Sequence, residues 1–309
     1  MQGLLVVDAT RYVPGAFASA ELLRLGARVI RLEQPGGDPM RATAPDWHDA
    51  LNAGKESVVC DLPADAAFAQ ALLARADVVL ESFRPGVAAR LGIGPDDVPE
   101  PTVYCSITGF GTGGGHEQRA GHDLNYVGWA GLLAATAPSV PPVQAADLAA
   151  GALGAVTEIL AALLERERTG VGARIVVSMT HGAHRLASRS PVLQGGFACY
   201  RMYETADGRH LTVGALEPKF FARLCELVGR PALAAQQYGG DQGTLIRELS
   251  EVFSTQALAH WLDVFANEDV CVGPVATLAE AEAEFGAAPP SAPPSLGEHT
   301  DAWRRALGL

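Results

Sequence analysis

The stretch LLVVDATRYVPGAFASAELLRLGARVIRLE, residues 4–33, decides the fold. LLVVDAT (4–10) is a short apolar, β-branched run ending in Asp and Thr, the pattern of a buried strand. PGAFASAELLRLGA (14–27) has helical spacing with a Gly near its end, and ARVIRLE (27–33) reads as a second strand. Together they form a strand–helix–strand unit of the length a parallel crossover needs. The alternation continues outward. KESVVCDL (55–62), DVVLESF (77–83) and TVYCSITGFG (102–111) read as strands, and DAAFAQALLARA (65–76) as a helix. This order predicts a doubly wound α/β domain with a mostly parallel sheet and helices on both faces.

Beyond it, DLAAGALGAVTEILAALLERERTG (147–170) is the longest helical stretch, with Gly170 placed as a C-cap. ARIVVSMTHGAH (173–184) starts as a strand, and residues 185–200 lack periodicity and read as a connection. YETADGRHLTVGAL (203–216) reads as a hairpin turning at Asp207-Gly208. Helices dominate 217–266, AAPPSAPPS (287–295) reads as an extended linker, and LGEHTDAWRRALGL (296–309) as a short terminal helix. The expected organisation is a large α/β domain of residues 1–185 with 287–309, and a smaller α+β domain of residues 186–286.

The 309 residues carry a formal net charge of -12 and no basic tail or stripe, which argues against a nucleic-acid partner. The five cysteines include no CxxC pair, and the histidines have no metal-ligand spacing, so no metal site is expected. The amino terminus reads as a first strand and not a signal peptide, and no run of eighteen apolar residues suggests a membrane span. The expectation is a soluble, cytoplasmic protein.

RAGHDLNYVGWAG (119–131) sets His122 beside Asp123. Taken singly, such residues have plain structural readings. Asp147 is most simply a helix N-cap, and Glu217 before Pro218 a first-turn acid. Their contexts say more. The chain resembles the type III CoA-transferase family, which includes the α-methylacyl-CoA racemases. The resemblance rests on residues 8–41, NAGKESVVCDL (52–62), ADVVLESFRPGVAARLGIGPDDV (76–98), SITGFGTGGG followed by RAGHDLNY, and the terminal LGEHTDAWRRALGL. AGHDLNY and GALEPKFF (214–221) resemble the racemase branch in particular. The chain departs from the family's usual pattern at Ala53 and in a shortened connection after the strand at 173.

The resemblance implies that His122 and Asp147 are the two proton-transfer groups of a racemase, with Asp123 and Glu217 as supporting carboxylates. It also implies an interlocked homodimer, in which Glu217 would come from the partner's small domain. Removing the α-proton of an acyl thioester needs a base within about 3 Å and a way to stabilise an enolate. Racemisation needs a second group on the opposite face to return the proton, and His and Asp are both tunable for this near neutral pH. Coenzyme A would enter as part of the substrate, with no prosthetic group. Arg41, Lys55, Arg84 and Arg90 follow early strands or lie in loops and are the candidates for its phosphates. GTGGGHE (111–117) lacks the ending of a P-loop, and QGGF (194–197) matches a mobile glycine loop only weakly. Two alternatives stand: a CoA transferase with Asp147 as nucleophile, and a CoA-thioester-binding homologue without turnover.

Overall fold

A computed structural model describes residues 1–286 and 292–309, so most of the linker expected at 287–295 lies outside the described residues. Two compact units divide the chain: Met1–Ala187 with the carboxyl-terminal segment, and the residues from Ser188 up to that segment.

The first unit is built on six strands: β1 (Leu5–Asp8), β2 (Arg28–Glu33), β3 (Glu56–Val59), β4 (Val78–Glu81), β5 (Val103–Thr108) and β6 (Arg174–Ser178). Their order is β3-β2-β1-β4-β5-β6, and every pairing is parallel. Strand direction of growth reverses between β1 and β4, where open α/β sheets open a crevice at their carboxyl ends. Alternation along each strand supplies two cores. Val6, Val78, Leu80 and Cys105 face the helix Tyr12–Arg24 and the helix Gly154–Thr169. Val7, Ile30, Val79 and Tyr104 face the helix Ala66–Leu73, joined by Trp303 of the terminal helix Thr300–Leu307. Helices therefore cover both faces, as the sequence pattern predicts.

One helical region departs from expectation. The long stretch begins at Ala145, not Asp147, and its first nine residues, Ala145–Leu153, wind as a π-helix before the α-helix Gly154–Thr169. Such wide turns are rare overall but frequent at functional sites. Eighteen residues within Ala145–Thr169 are apolar enough to cross a bilayer, with a mean hydropathy of 1.7. Ala146, Ala150, Ala155, Val156 and Ile159 instead pack into the sheet core, the behaviour of a core helix. A short helix at Pro45–Asn52, absent from the sequence reading, connects β2 to β3.

The second unit holds an antiparallel sheet of β7 (Tyr200–Glu204), β8 (His210–Gly214) and β9 (Val272–Pro274). The hairpin β7–β8 turns with Gly208 at φ 72°, as Asp207-Gly208 predicts, while β9 is too short to have been read from sequence. Helices Pro218–Leu227, Gln242–Phe253 and Leu258–Phe265 close its core over Tyr203, Leu211, Val213, Phe221, Phe253 and Trp261.

Candidate active site

A buried ionic network underlies the site. Asp8 ends β1, and Arg31 lies in the middle of β2, fully buried. Arg31 donates to Asp8 Oδ1 and Thr10 Oγ1, each at 2.7 Å, and its other nitrogen pairs with Asp38. Burial alone would push the Asp8 carboxyl up. The Arg31 and Lys55 charges, with the Ser19 and Thr10 hydroxyls, outweigh this and hold it below its usual range. An uncompensated charge here would be strongly destabilising, so these groups stand or fall together.

The network shapes the loop that follows β1. Thr10 donates through both N–H and hydroxyl to Asp8 Oδ1, at 2.9 and 2.6 Å. Arg11 N–H donates to Ser82 Oγ at 2.9 Å, and Tyr12 N–H to Asp38 Oδ2 at 3.0 Å. Gly15 lies so close to Thr10 that a Cβ there would overlap the threonine side chain. Held on every side, Tyr12 takes φ 62°, a left-handed conformation that costs a tyrosine roughly 1–3 kcal/mol. Its ring packs edge-to-face on His122, with centroids 5.9 Å apart.

His122 is exposed and forms the N-cap of the helix Asp123–Trp129. Asn125 returns its side-chain oxygen to the His122 N–H at 3.0 Å, and its own N–H faces the His122 side chain, so the two residues form a capping box. Tyr126 fills the space beneath, its hydroxyl donating to Gly121 O at 2.5 Å. A Cβ at Gly121 would lie 2.7 Å from the Tyr126 ring, so the residue before His122 has to be glycine.

Asp147 is not the N-cap that its sequence position suggests; Gln144 holds that place, and Asp147 sits in the first turn of the π-helix. Its backbone N–H donates instead to Asp123 Oδ1 at 2.9 Å, so Asp123 ties the His122 helix to the π-helix. Burial, with the Asp123 charge adding, raises the Asp147 carboxyl to about 7. A group that titrates there can both accept and donate a proton at neutral pH.

His122 and Asp147 line one cavity of about 510 Å³, together with Arg11, Tyr12, Phe83, Arg84, Arg119 and Tyr126. A second cavity of about 300 Å³ opens beside it at the carboxyl ends of β1, β2 and β4, and Arg11 and Phe83 line both. The Arg11 guanidinium lies 5.5 Å from the Phe83 ring centroid and donates to the neutral Gln34 Oε1 at 2.6 Å.

The residues expected to meet phosphate fare differently. Arg84 is exposed and lines the larger cavity. Arg90 is exposed at the end of a short helix and bonds only its own Gly86 carbonyl, at 3.3 Å. Arg41 donates to Glu33 from Nε and Nη2, at 2.9 and 2.7 Å. The expectation for Lys55 is corrected by its burial. Its ammonium is wrapped by Ala16 O, Ser19 Oγ and Asn52 Oδ1 at 2.8, 2.8 and 3.0 Å, leaving no face for a ligand. Loss of hydration lowers its pKa to about 7. Glu217 belongs to the second unit, where it is exposed at the N-cap of the helix Pro218–Leu227 and makes no side-chain cap bond.

Sequence reasoning missed Asp8, Arg31, Asp38, Tyr12, Arg11 and Arg119. The one available signal was Arg31 itself, a charge inside a strand that a parallel sheet buries, which requires an acidic partner. Among the described residues, no group of three or more His, Cys, Asp or Glu side chains is placed to hold a metal ion.

Comparison with known proteins sets this geometry in context. Residues 1–289 match CoA-transferase family III. The chain is 34% identical to the alpha-methylacyl-CoA racemase of Homo sapiens over 309 aligned positions, covering 91% of this chain and 78% of that protein. It is 31% identical to the succinyl-CoA:glutarate CoA-transferase of Homo sapiens, covering 92% and 73%. A crystal structure of Rv3272 from M. tuberculosis superposes with a TM-score of 0.82 at 30% identity, covering 98% of both chains. With the family matched across nearly the whole chain and the fold shared with a solved relative, the protein belongs to CoA-transferase family III.

Proposed function

We propose that this enzyme interconverts the two epimers at the α-carbon of a 2-methylacyl-CoA thioester by 1,1-proton transfer. The observation that carries the reading is His122 and Asp147 lining one cavity, with the Asp147 carboxyl held near 7 by burial and by Asp123. One of the pair removes the α-proton. The electrons of the broken C–H bond pass into the thioester carbonyl as an enolate, and the conjugate acid of the other group delivers a proton to the opposite face. Positive charge from Arg11, Arg84 and Arg119 around the cavity favours the developing anion. Similarity to α-methylacyl-CoA racemases supports the same chemistry.

The smaller cavity suits the nucleotide end of coenzyme A, because it lies where the strand order reverses. The thioester would then pass Arg11 and Phe83 to reach His122. A homodimer completes the proposal. Its support is an apolar surface on the long helix, where Leu153 and Leu164 are 44% and 69% exposed.

A second reading has its own support, since CoA transferases are also among the similar proteins. Asp147 would then attack the thioester carbonyl as an ionised nucleophile and expel the CoA thiolate. A carboxyl raised to about 7 is protonated for part of the time at neutral pH, which suits acid–base work better. The test is to supply one pure epimer with no acceptor acid and follow the other by chiral chromatography. Appearance of the second epimer supports the racemase. Its absence, with hydroxylamine displacing the carboxylate or CoA from an activated Asp147 and leaving its hydroxamate, supports the transferase.

A further inference from the structure

We infer that Tyr12 is a positioning residue for His122, and that its left-handed backbone exists to aim its ring at the imidazole. This rests on the racemase reading above. The argument starts from cost. A tyrosine at φ 62° is strained, and a glycine would occupy the same position without strain. The conformation persists because Tyr12 N–H is held by Asp38 Oδ2 at 3.0 Å, and Asp38 is itself pinned by the buried Arg31. Arg11 before it is fixed to Ser82, and Gly15 after it is pressed against Thr10.

The ring does not fill the core. Tyr12 is 43% exposed, so packing of the interior does not explain why the chain bears the strain. What the ring does contact is His122, edge-to-face at 5.9 Å with an interplanar angle of 89°. His122 is otherwise held by its capping box with Asn125 alone, and among the described residues no other ring packs on its imidazole. His122 is exposed, so no buried packing holds its imidazole toward the cavity. Tyr12 also lines that cavity, so its ring closes one side of the space in which His122 works. The buried ions Asp8, Arg31 and Asp38 therefore reach the proton-transfer site through one strained residue. They set the loop, the loop sets Tyr12, and Tyr12 sets the imidazole.

The test compares Tyr12→Gly with Tyr12→Phe. Glycine accepts the backbone conformation, so the loop is kept and only the ring is lost. Phenylalanine keeps the edge-to-face contact without the hydroxyl. Each variant is incubated in D₂O with either pure epimer of a 2-methylacyl-CoA, and initial α-deuterium uptake is measured. In Tyr12→Gly, uptake from the epimer whose proton His122 removes should fall about tenfold or more, since small misplacements of a reacting group are costly. Uptake from the other epimer should stay within about twofold, and Tyr12→Phe should restore the first. An equal loss from both epimers, a change in KM alone, or no change would overturn the inference. A second readout does not depend on turnover. The His122 ring signals in the NMR spectrum should move in Tyr12→Gly and hold in Tyr12→Phe. Unmoved signals would refute the positioning role even if the protein exchanges no α-proton, whereas absence of exchange in the unmodified enzyme would count against the racemase reading alone.

Discussion

Replacing Asp147 with Asn should stabilise the protein, by an amount that grows with pH. Burial and the Asp123 charge raise the Asp147 carboxyl to about 7, against an ordinary value of 3.8. Between those two values the folded chain keeps a proton that the unfolded chain has released, so stability falls as pH rises through this window. Below it both states are protonated, and the side chain costs nothing extra. At roughly 1.4 kcal/mol for each pH unit, the full interval is worth roughly 4 kcal/mol. Water entering from the open cavity and relaxation around a partly exposed carboxyl reduce this to about 2 kcal/mol. Asn has the shape of the neutral acid and never ionises. Asp147→Asn should therefore match the parent near pH 4 and exceed it by about 2 kcal/mol at pH 8. Urea denaturation followed by tryptophan fluorescence measures this, with a midpoint rise of about 1 M at pH 8 and little change at pH 4. A stability difference that is the same at both pH values, or an Asn variant less stable at pH 8, would refute the claim that the fold dehydrates this carboxylate.

The same reasoning applies to its neighbours. Asp123→Asn removes a like charge beside Asp147, so the limb of the pH–rate profile near 7 should move to lower pH; an unmoved or upward-moving limb would contradict the coupling. His122→Ala should leave α-deuterium uptake from one epimer and abolish it from the other, measured by mass spectrometry on each pure epimer; full activity from both would remove His122 from the mechanism. Lys55→Met leaves buried Asp8 with less compensation and should cost about 3 kcal/mol or more in urea denaturation, without raising KM for acyl-CoA. A raised KM with intact stability would restore Lys55 as a ligand contact. Gly121→Ala forces a Cβ against Tyr126 and should cost about 1–3 kcal/mol in stability, together with lower turnover.

Much of the large unit was legible because most of its parallel strands carry a short apolar, β-branched run, a signal that survives without knowledge of its neighbours. The hairpin was legible for a similar reason, since Asp207-Gly208 encodes its own turn. Other features depend on partners distant in the chain. The π-helical start at Ala145–Leu153 follows a sequence of small apolar residues indistinguishable from an α-helix, and its first turn is tied to Asp123, 24 residues earlier. Nothing local to DATRYVPG announces that Asp38 will hold Tyr12 at positive φ. Lys55 looked like a loop cation free to bind phosphate, yet Asn52, Ser19 and Ala16 enclose it. His122 and Asp147 came from the family resemblance, not from spacing, and the cavity they share forms only where loops gather at the carboxyl ends of the folded strands.

The most direct test of the account is α-deuterium exchange by the unmodified enzyme. The purified protein is incubated in D₂O with a 2-methylacyl-CoA and no acceptor acid, and the thioester is weighed by mass spectrometry. The account predicts gain of one deuteron at the α-carbon while the thioester stays intact. No gain, with CoA passing to a carboxylic acid added afterwards, would contradict it and make Asp147 a nucleophile.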